Sequence, residues 1–114
     1  MVIDLSKQTG KKISVQGNKK IFINMEDIMY IQCEDHLSIL FLSNGVKIYE
    51  IKTLCQFEKE LTDFGFFRIR DNTIINGKYI TEIDTKMNKR AVKLEKIDFI
   101  VSKNRLKALK NWTL

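Results

Sequence analysis

The sequence of 114 residues contains no proline, and it has neither a low-complexity run nor an internal repeat. These absences argue against several modules joined by internal linkers. A folded chain of this length buries somewhat over ~60% of the surface that its unfolded form exposes, so one core can hold it. We therefore predict one continuous domain over residues 11–114, preceded by a flexible lead over residues 1–10.

Cysteine is scarce as well. Cys33 and Cys55 lie 22 positions apart inside apolar stretches and form no C-x-x-C pair. This pattern lacks metal-binding spacing and predicts two buried thiols, with a disulfide as the alternative. No signal peptide is recognisable at the start, and a reducing cytosol suits unpaired thiols, so we predict a cytoplasmic location. The longest apolar run, residues 37–42, is far below the roughly 20 residues that cross a bilayer, so no membrane contact is expected.

The sequence has a single histidine, His36, which follows Glu34 and Asp35. This is the only cluster that suggests acid–base catalysis or metal binding. A second histidine, a glycine-rich phosphate motif and a nucleophile arrangement are all missing. We therefore predict that the protein is not an enzyme and that it needs no cofactor and no metal.

The net charge of +6 is unevenly distributed. Residues 1–20 contain five Lys/Arg and one acid, residues 21–85 contain six and eleven, and residues 86–114 contain nine and two. Basic ends around an acidic middle fit a surface that faces a polyanion, because clustered cations dominate nucleic-acid affinity. A solvated basic face is the alternative, and charge alone does not decide between the two.

Short β-branched and aromatic runs, separated by turn residues, predict a series of antiparallel strands. Residues 11–15 and 19–23 flank a Gln-Gly-Asn turn and predict a hairpin, because glycine tolerates positive φ. A second hairpin is predicted over residues 79–94, and a final strand over residues 98–101. Residues 66–77 mix polar and apolar side chains without a clear period, and we expect them to be irregular.

Three further runs, at residues 28–33, 37–42 and 46–51, predict a meander. The last two are separated by Asn44-Gly45, and an Asn-Gly pair between apolar strands is the strongest short signal for a hairpin turn. We expect these three strands to be neighbours in one sheet.

Two amphipathic helices are also predicted. Thr53 and Gln56 form a capping-box pattern at the start of the first, and Gly65 follows its end. Ser102 is the predicted N-cap of the last helix, whose N-terminus would be open to phosphate. The predicted inward-facing residues are Leu54, Phe57 and Leu61 in the first helix and Leu106, Leu109 and Thr113 in the last, while Lys103, Lys107 and Lys110 share another face.

The elements together predict a mainly β, β-rich α+β domain. It would be elongated and built of short antiparallel strands and hairpins, with one middle helix and one C-terminal helix.

Three blocks in this order resemble the LytTR family of bacterial DNA-binding domains: residues 23–34, 67–76 and 100–110. The resemblance covers the chain from about residue 11 onward. It implies a β-rich fold that binds duplex DNA through loops and one helix end, without a helix-turn-helix motif.

The resemblance also implies partners. Family members usually act as output domains of two-component response regulators and recognise paired direct repeats in promoters, so a receiver domain and a sensor kinase are expected upstream. Alone, the domain would be a monomer or a weak dimer, and on DNA it would bind in tandem. The alternative is a basic β-domain that binds RNA or docks on protein, without sequence-specific recognition of DNA.

The resemblance places DNA contacts in three segments, of which the first two contain His36 and residues 70–72. His36 can hydrogen-bond a base edge or a phosphate, or it can be an ordinary surface histidine. Arg70 can fork onto guanine or bind a phosphate. Asp71 departs from the family pattern; it can accept from cytosine or orient Arg70 by a salt bridge. Asn72 can read adenine or simply close the turn.

The third segment is the start of the last helix, with Lys103, Asn104 and Arg105. Lys103 stands where the family has arginine, and a lysine lacks the bidentate fork, so we expect it to contact the DNA backbone. Lys107 extends this surface or belongs to a solvated helix face. Arg68 also matches the signature, but its apolar neighbours indicate a structural ion pair more than a base contact.

Overall fold

The computed structural model describes residues 3–5, 11–16 and 19–112, with side chains from Phe22 to Trp112. In these residues, eleven strands form three antiparallel sheets. The first sheet has the order β1-β2-β3, with β1 at Ile3–Leu5, β2 at Lys11–Gln16 and β3 at Lys19–Asn24. The predicted first hairpin is confirmed, while residues 17–18 of its turn lie outside the described residues. The division into a lead and a domain stays a prediction, and part of that lead, β1, pairs with β2.

The central sheet has five strands in the order β6-β5-β4-β8-β7. They are β4 at Ile28–Glu34, β5 at Leu37–Leu42, β6 at Lys47–Glu50, β7 at Phe66–Arg70 and β8 at Thr73–Asn76. The predicted meander is confirmed as β4-β5-β6, in which antiparallel neighbours follow one another along the chain.

The expectation of an irregular segment over residues 66–77 is wrong, because β7 and β8 form a hairpin there. Two features obscure its period. The β7–β8 register shifts between Arg68 and Arg70, which breaks the alternation. All four residues of β8 are buried, because this strand lies inside the sheet between β4 and β7.

The first helix, α1 at Leu54–Leu61, packs on one face of the central sheet. Its capping box is confirmed: the Gln56 N–H donates to the Thr53 hydroxyl at 3.2 Å, and the Thr53 N–H donates to the Gln56 side chain at 2.9 Å. A 3₁₀ turn, Thr62–Phe64, extends the helix, and Gly65 ends it at φ 85°. The three predicted inward residues are buried: Leu54, Phe57 and Leu61. Burial of each stabilises the fold by roughly 1.5–3 kcal/mol.

The third sheet and the last helix cover the opposite face of the central sheet. This sheet has the order β11-β10-β9, with β9 at Ile80–Asp84, β10 at Ala91–Leu94 and β11 at Ile97–Ile100. The second hairpin and the final strand are thereby confirmed. The last helix, α2 at Leu106–Trp112, begins later than predicted, because a 3₁₀ turn at Lys103–Arg105 precedes it.

The central sheet thus separates two hydrophobic cores. Neighbouring residues of β8 divide between them, with Ile74 in the core under α1 and Ile75 in the core under α2. Leu106 and Leu109 of α2 are buried as predicted, whereas Thr113 lies outside the described residues. The extents of 46 × 30 × 25 Å agree with an elongated shape, and the predicted fold class is confirmed.

The prediction of two buried cysteines is wrong for Cys55, which is exposed on α1. Its position follows from the helix: the buried stripe of α1 is formed by positions 54, 57 and 61, and residue 55 lies off that stripe. Cys33 is partly buried against the core, and both thiols are free. Among the described residues, no helix has the length and apolar character to cross a membrane.

Candidate nucleic-acid interface

Two turns of the central sheet lie side by side at one end of it. Strand β4 runs antiparallel to β8, with Gln32 opposite Thr73. The pairing continues one step further, because the Cys33 N–H donates to the Asn72 carbonyl at 2.9 Å. The β4–β5 turn, which contains His36, is therefore next to the β7–β8 turn, which contains Asp71.

His36 occupies a two-residue turn with Asp35, whose φ of 55° is the left-handed conformation that such a turn requires. The histidine is exposed, and so are its acidic neighbours Glu34 and Asp35. The imidazole can therefore reach an external partner, but the adjacent carboxylates oppose a close approach of phosphate.

Hydrogen bonds join the start of the last helical segment to the same end of the sheet. The Ser102 N–H donates to the Ile69 carbonyl of β7 at 2.9 Å, and the Ser102 hydroxyl lies 3.3 Å from the same oxygen. That hydroxyl also donates to the Asn104 side chain at 2.7 Å. The structure therefore brings together all three segments that the sequence indicated.

The predicted role of Ser102 as a helix cap needs correction. Its side chain accepts no hydrogen bond from the backbone of the turn that follows it. The 3₁₀ turn satisfies two backbone donors by itself, since the Arg105 N–H donates to the Ser102 carbonyl and the Leu106 N–H to the Lys103 carbonyl. The prediction of a free helix N-terminus required these two N–H groups to be open to phosphate, and they are not.

The exposed residues among the predicted site residues include Arg70, Lys103, Asn104 and Lys107. Within the described part of the chain, the guanidinium of Arg70 has no hydrogen-bond or ion-pair partner. Asn72 is also exposed; its side-chain oxygen accepts from the Thr73 hydroxyl at 3.0 Å, and its carbonyl joins the turn to β4. Asn72 thus helps to close the turn and still has its amide N–H groups available.

Asp71 pairs with Arg105 and not with Arg70, the partner considered from the sequence. One Asp71 carboxylate oxygen lies 3.4 Å from Arg105 Nη2, and Glu58 Oε2 of α1 lies 3.8 Å from Arg105 Nη1. Arg105 is therefore less available to DNA than its neighbours, because two carboxylates share its guanidinium.

Arg68 forms the structural ion pair that its surroundings indicated. Its Nη1 lies 3.1 Å from Glu58 Oε1, and its side chain is only 12% exposed. The same guanidinium donates to the carbonyls of Arg70 at 3.3 Å and Asp71 at 2.5 Å. Burial lowers the pKa of Arg68, but hydrogen bonds to Cys55 and Glu58 outweigh it and raise the pKa above its ordinary value. Arg68 thus stays charged and holds the β7–β8 turn in shape.

Glu58 is the residue of this site that sequence reasoning missed. It joins α1 to two arginines that lie 10 and 47 positions later in the chain, Arg68 and Arg105. On the sequence it is one of several polar residues on the outer face of α1, so no local signal marked it. Among the described residues, no group of three or more histidine, cysteine, aspartate or glutamate side chains is arranged to hold a metal ion.

The fold and the site define a β-domain that presents turns and one helix start, in place of a recognition helix, at one end of its central sheet. The chain belongs to the LytTr DNA-binding domain family, which matches residues 18–113. The resemblance in the sequence is thereby confirmed, and the domain is a DNA-binding domain of this family. The family is defined by DNA binding and not by catalysis, which fits the prediction of a protein that is not an enzyme.

One solved structure shows the same fold: the LytTr DNA-binding domain of a methyl-accepting/DNA response regulator from Bacillus cereus. It is similar to this chain with a TM-score of 0.77 and 15% sequence identity, over 91% of this chain and 96% of that one. No curated protein sequence matches the chain.

Proposed function

We propose that this domain binds specific duplex DNA sequences as the output domain of a bacterial response regulator in the cytoplasm. One observation carries the proposal: the turns at His36 and at residues 70–72 and the start of the last helix meet at one end of the central sheet. The exposed cations at this end suit a DNA backbone, which binds through neutralisation of phosphates.

Arg70 is the residue that we assign to base recognition. It is exposed at the end of β7, beside a turn whose shape is fixed by Arg68, and its guanidinium has no partner among the described residues. A guanidinium that has no other partner can donate two hydrogen bonds to guanine O6 and N7 in the major groove. Two further candidates for base contacts are His36, in the neighbouring β4–β5 turn, and Asn72, in the turn that follows Arg70.

Lys103 and Lys107 are the residues that we assign to phosphate contacts. Both are exposed, and they lie four positions apart along the last helical segment. An ammonium group on a long side chain binds phosphate as a point charge with little dependence on sequence. Asn104 is the neutral hydrogen-bonding neighbour of this pair.

We further propose that monomers, or weak dimers, line up on paired direct repeats and that an upstream receiver domain controls their binding. The support for this part is the family to which the chain belongs.

Selection of the purified domain against random duplex DNA tests the proposal, with RNA as the competitor and with salt varied. We expect a short motif to be enriched as a direct repeat and its binding to weaken as salt rises. Binding without enrichment would contradict sequence-specific recognition, and a preference for RNA would favour the alternative of an RNA-binding domain.

Two variants then separate the assigned roles. Arg70→Ala should weaken binding to the selected site by ~1–3 kcal/mol and relax its sequence preference, whereas Lys103→Ala should weaken all duplexes alike and flatten the salt dependence. Lys96→Ala is the matched control, because Lys96 lines a cavity with Gly45 and Val46 at the opposite end of the central sheet. Equal effects of Arg70→Ala and Lys103→Ala on every duplex would contradict the assignment.

A further inference from the structure

Arg105 lies between two carboxylates that differ in their surroundings. Glu58, on α1, has a side chain that is 38% exposed and also pairs with Arg68. Asp71, at the tip of the β7–β8 turn, is 92% exposed. The Arg105 side chain itself is 25% exposed. One partner is therefore anchored in the protein, and the other stands in solvent where DNA would approach.

The pairing of Arg105 is loose. Its two ion-pair distances, 3.4 Å and 3.8 Å, are longer than the 2.7–2.9 Å typical of a charged N–H donor on a carboxylate. Its Nε–H is buried and has no acceptor among the described residues. An exposed ion pair of this kind is weak, at about 0–1 kcal/mol, so a phosphate can replace the carboxylate at little cost.

A phosphate that takes the place of Asp71 would meet two opposing effects. It gains the Arg105 guanidinium, which prefers the bidentate geometry of phosphate oxygens. It also approaches an exposed aspartate, which repels it. The net effect is that Asp71 competes with phosphate for Arg105, and it does so equally for every DNA sequence, because phosphates carry no base information.

We propose that Asp71 restrains Arg105 and thereby lowers the affinity of the domain for all duplexes by a similar factor, so that stable binding requires the base contacts of the preferred site. This inference rests on the proposed function for its partner, duplex DNA. A purely structural role for the ion pair is the contrasting interpretation, in which loss of Asp71 changes stability and leaves the affinity for unrelated DNA unchanged.

The test compares Asp71→Asn with Asp63→Asn in binding to the selected site and to an unrelated duplex of equal length. Asparagine keeps the shape of the turn and removes the charge. Asp63 is the matched control, because it is an exposed aspartate in the 3₁₀ turn that precedes β7, at the end of that strand far from Asp71. We expect Asp71→Asn to increase affinity for both duplexes by a similar factor, about two- to fivefold, as expected for release of one exposed ion pair, and to leave the ratio of specific to unrelated affinity unchanged.

Arg105→Gln in the Asp71→Asn background provides the second readout. If Asp71 acts through Arg105, the gain should disappear in the double variant, and the slope of affinity against salt should fall back by about one phosphate contact. Thermal unfolding of each variant shows whether it is folded. The comparison of the two single aspartate variants decides the question even if Arg105→Gln does not fold.

Two results would overturn the inference. An equal gain in Asp71→Asn and Asp63→Asn would mean a general effect of net charge. Weaker binding of Asp71→Asn to the selected site, without a gain on unrelated DNA, would mean that Asp71 itself contacts a base. Failure of the proposed function looks different, because the wild-type domain would then show no preference for any duplex, while the two aspartate variants would still reveal whether Arg105 is restrained.

Discussion

Arg68→Lys tests how the central sheet supports the β7–β8 turn, to which we assign contacts with DNA. Arg68 donates to the carbonyls of Arg70 and Asp71 and pairs with Glu58 at 3.1 Å. Lysine keeps the charge, but its single ammonium group cannot span three acceptors. A hydrogen bond from a charged donor contributes about 1.5–3 kcal/mol. If lysine retains the bond to Glu58 and partly replaces the others, we expect a loss of about 2 kcal/mol in unfolding free energy.

The stability loss should be visible as a fall of roughly 8 °C in Tm, since a change of 1 kcal/mol shifts a domain of about 100 residues by about 4 °C. DNA titration should show weaker binding to the selected site with an unchanged salt slope, because the charge is kept while the turn that carries Arg70 is less fixed. An unchanged Tm would refute the role of Arg68 as a support of the turn. A loss that is equal for all duplexes and flattens the salt dependence would show that Arg68 contacts phosphate itself.

Two further predictions concern stability. Gly77→Ala should destabilise the fold by about 1–3 kcal/mol, because a Cβ there would lie 2.5 Å from the Trp112 ring. Urea unfolding should show that much of this loss disappears in a Trp112→Ala background. An equal loss in both backgrounds would contradict the clash. Tyr30 stacks on Phe41 and contacts Phe99 edge to face, and its burial raises the pKa of the Tyr30 hydroxyl. The contribution of this shift to stability is therefore present below the unfolded pKa of about 10 and is lost as pH rises through the folded pKa. Tyr30→Phe should therefore flatten the fall in unfolding free energy above about pH 10, and an equally steep fall in both proteins would exclude Tyr30 as its cause.

The elements that could be predicted from the sequence are those specified by neighbouring residues. The β5–β6 hairpin follows from Asn44-Gly45, and α1 follows from the capping box of Thr53 and Gln56 together with its apolar spacing. Residues 70–72 and the resemblance to the family were likewise identified from local patterns in the sequence. The β7–β8 hairpin was missed because its bulge and its full burial removed the alternation on which strand prediction depends.

The sequence by itself thus determined the positions of most strands, the first helix, the fold class and the three segments of the candidate site, because turn chemistry, capping and apolar periodicity act over a few residues. Only the tertiary structure decided that β8 lies between β4 and β7, which sets the turn of His36 beside that of Asp71. It also decided that Arg105 shares Glu58 and Asp71. These pairings join residues distant in the chain, and they form because burial of both faces of one sheet brings them together, which no local spacing records.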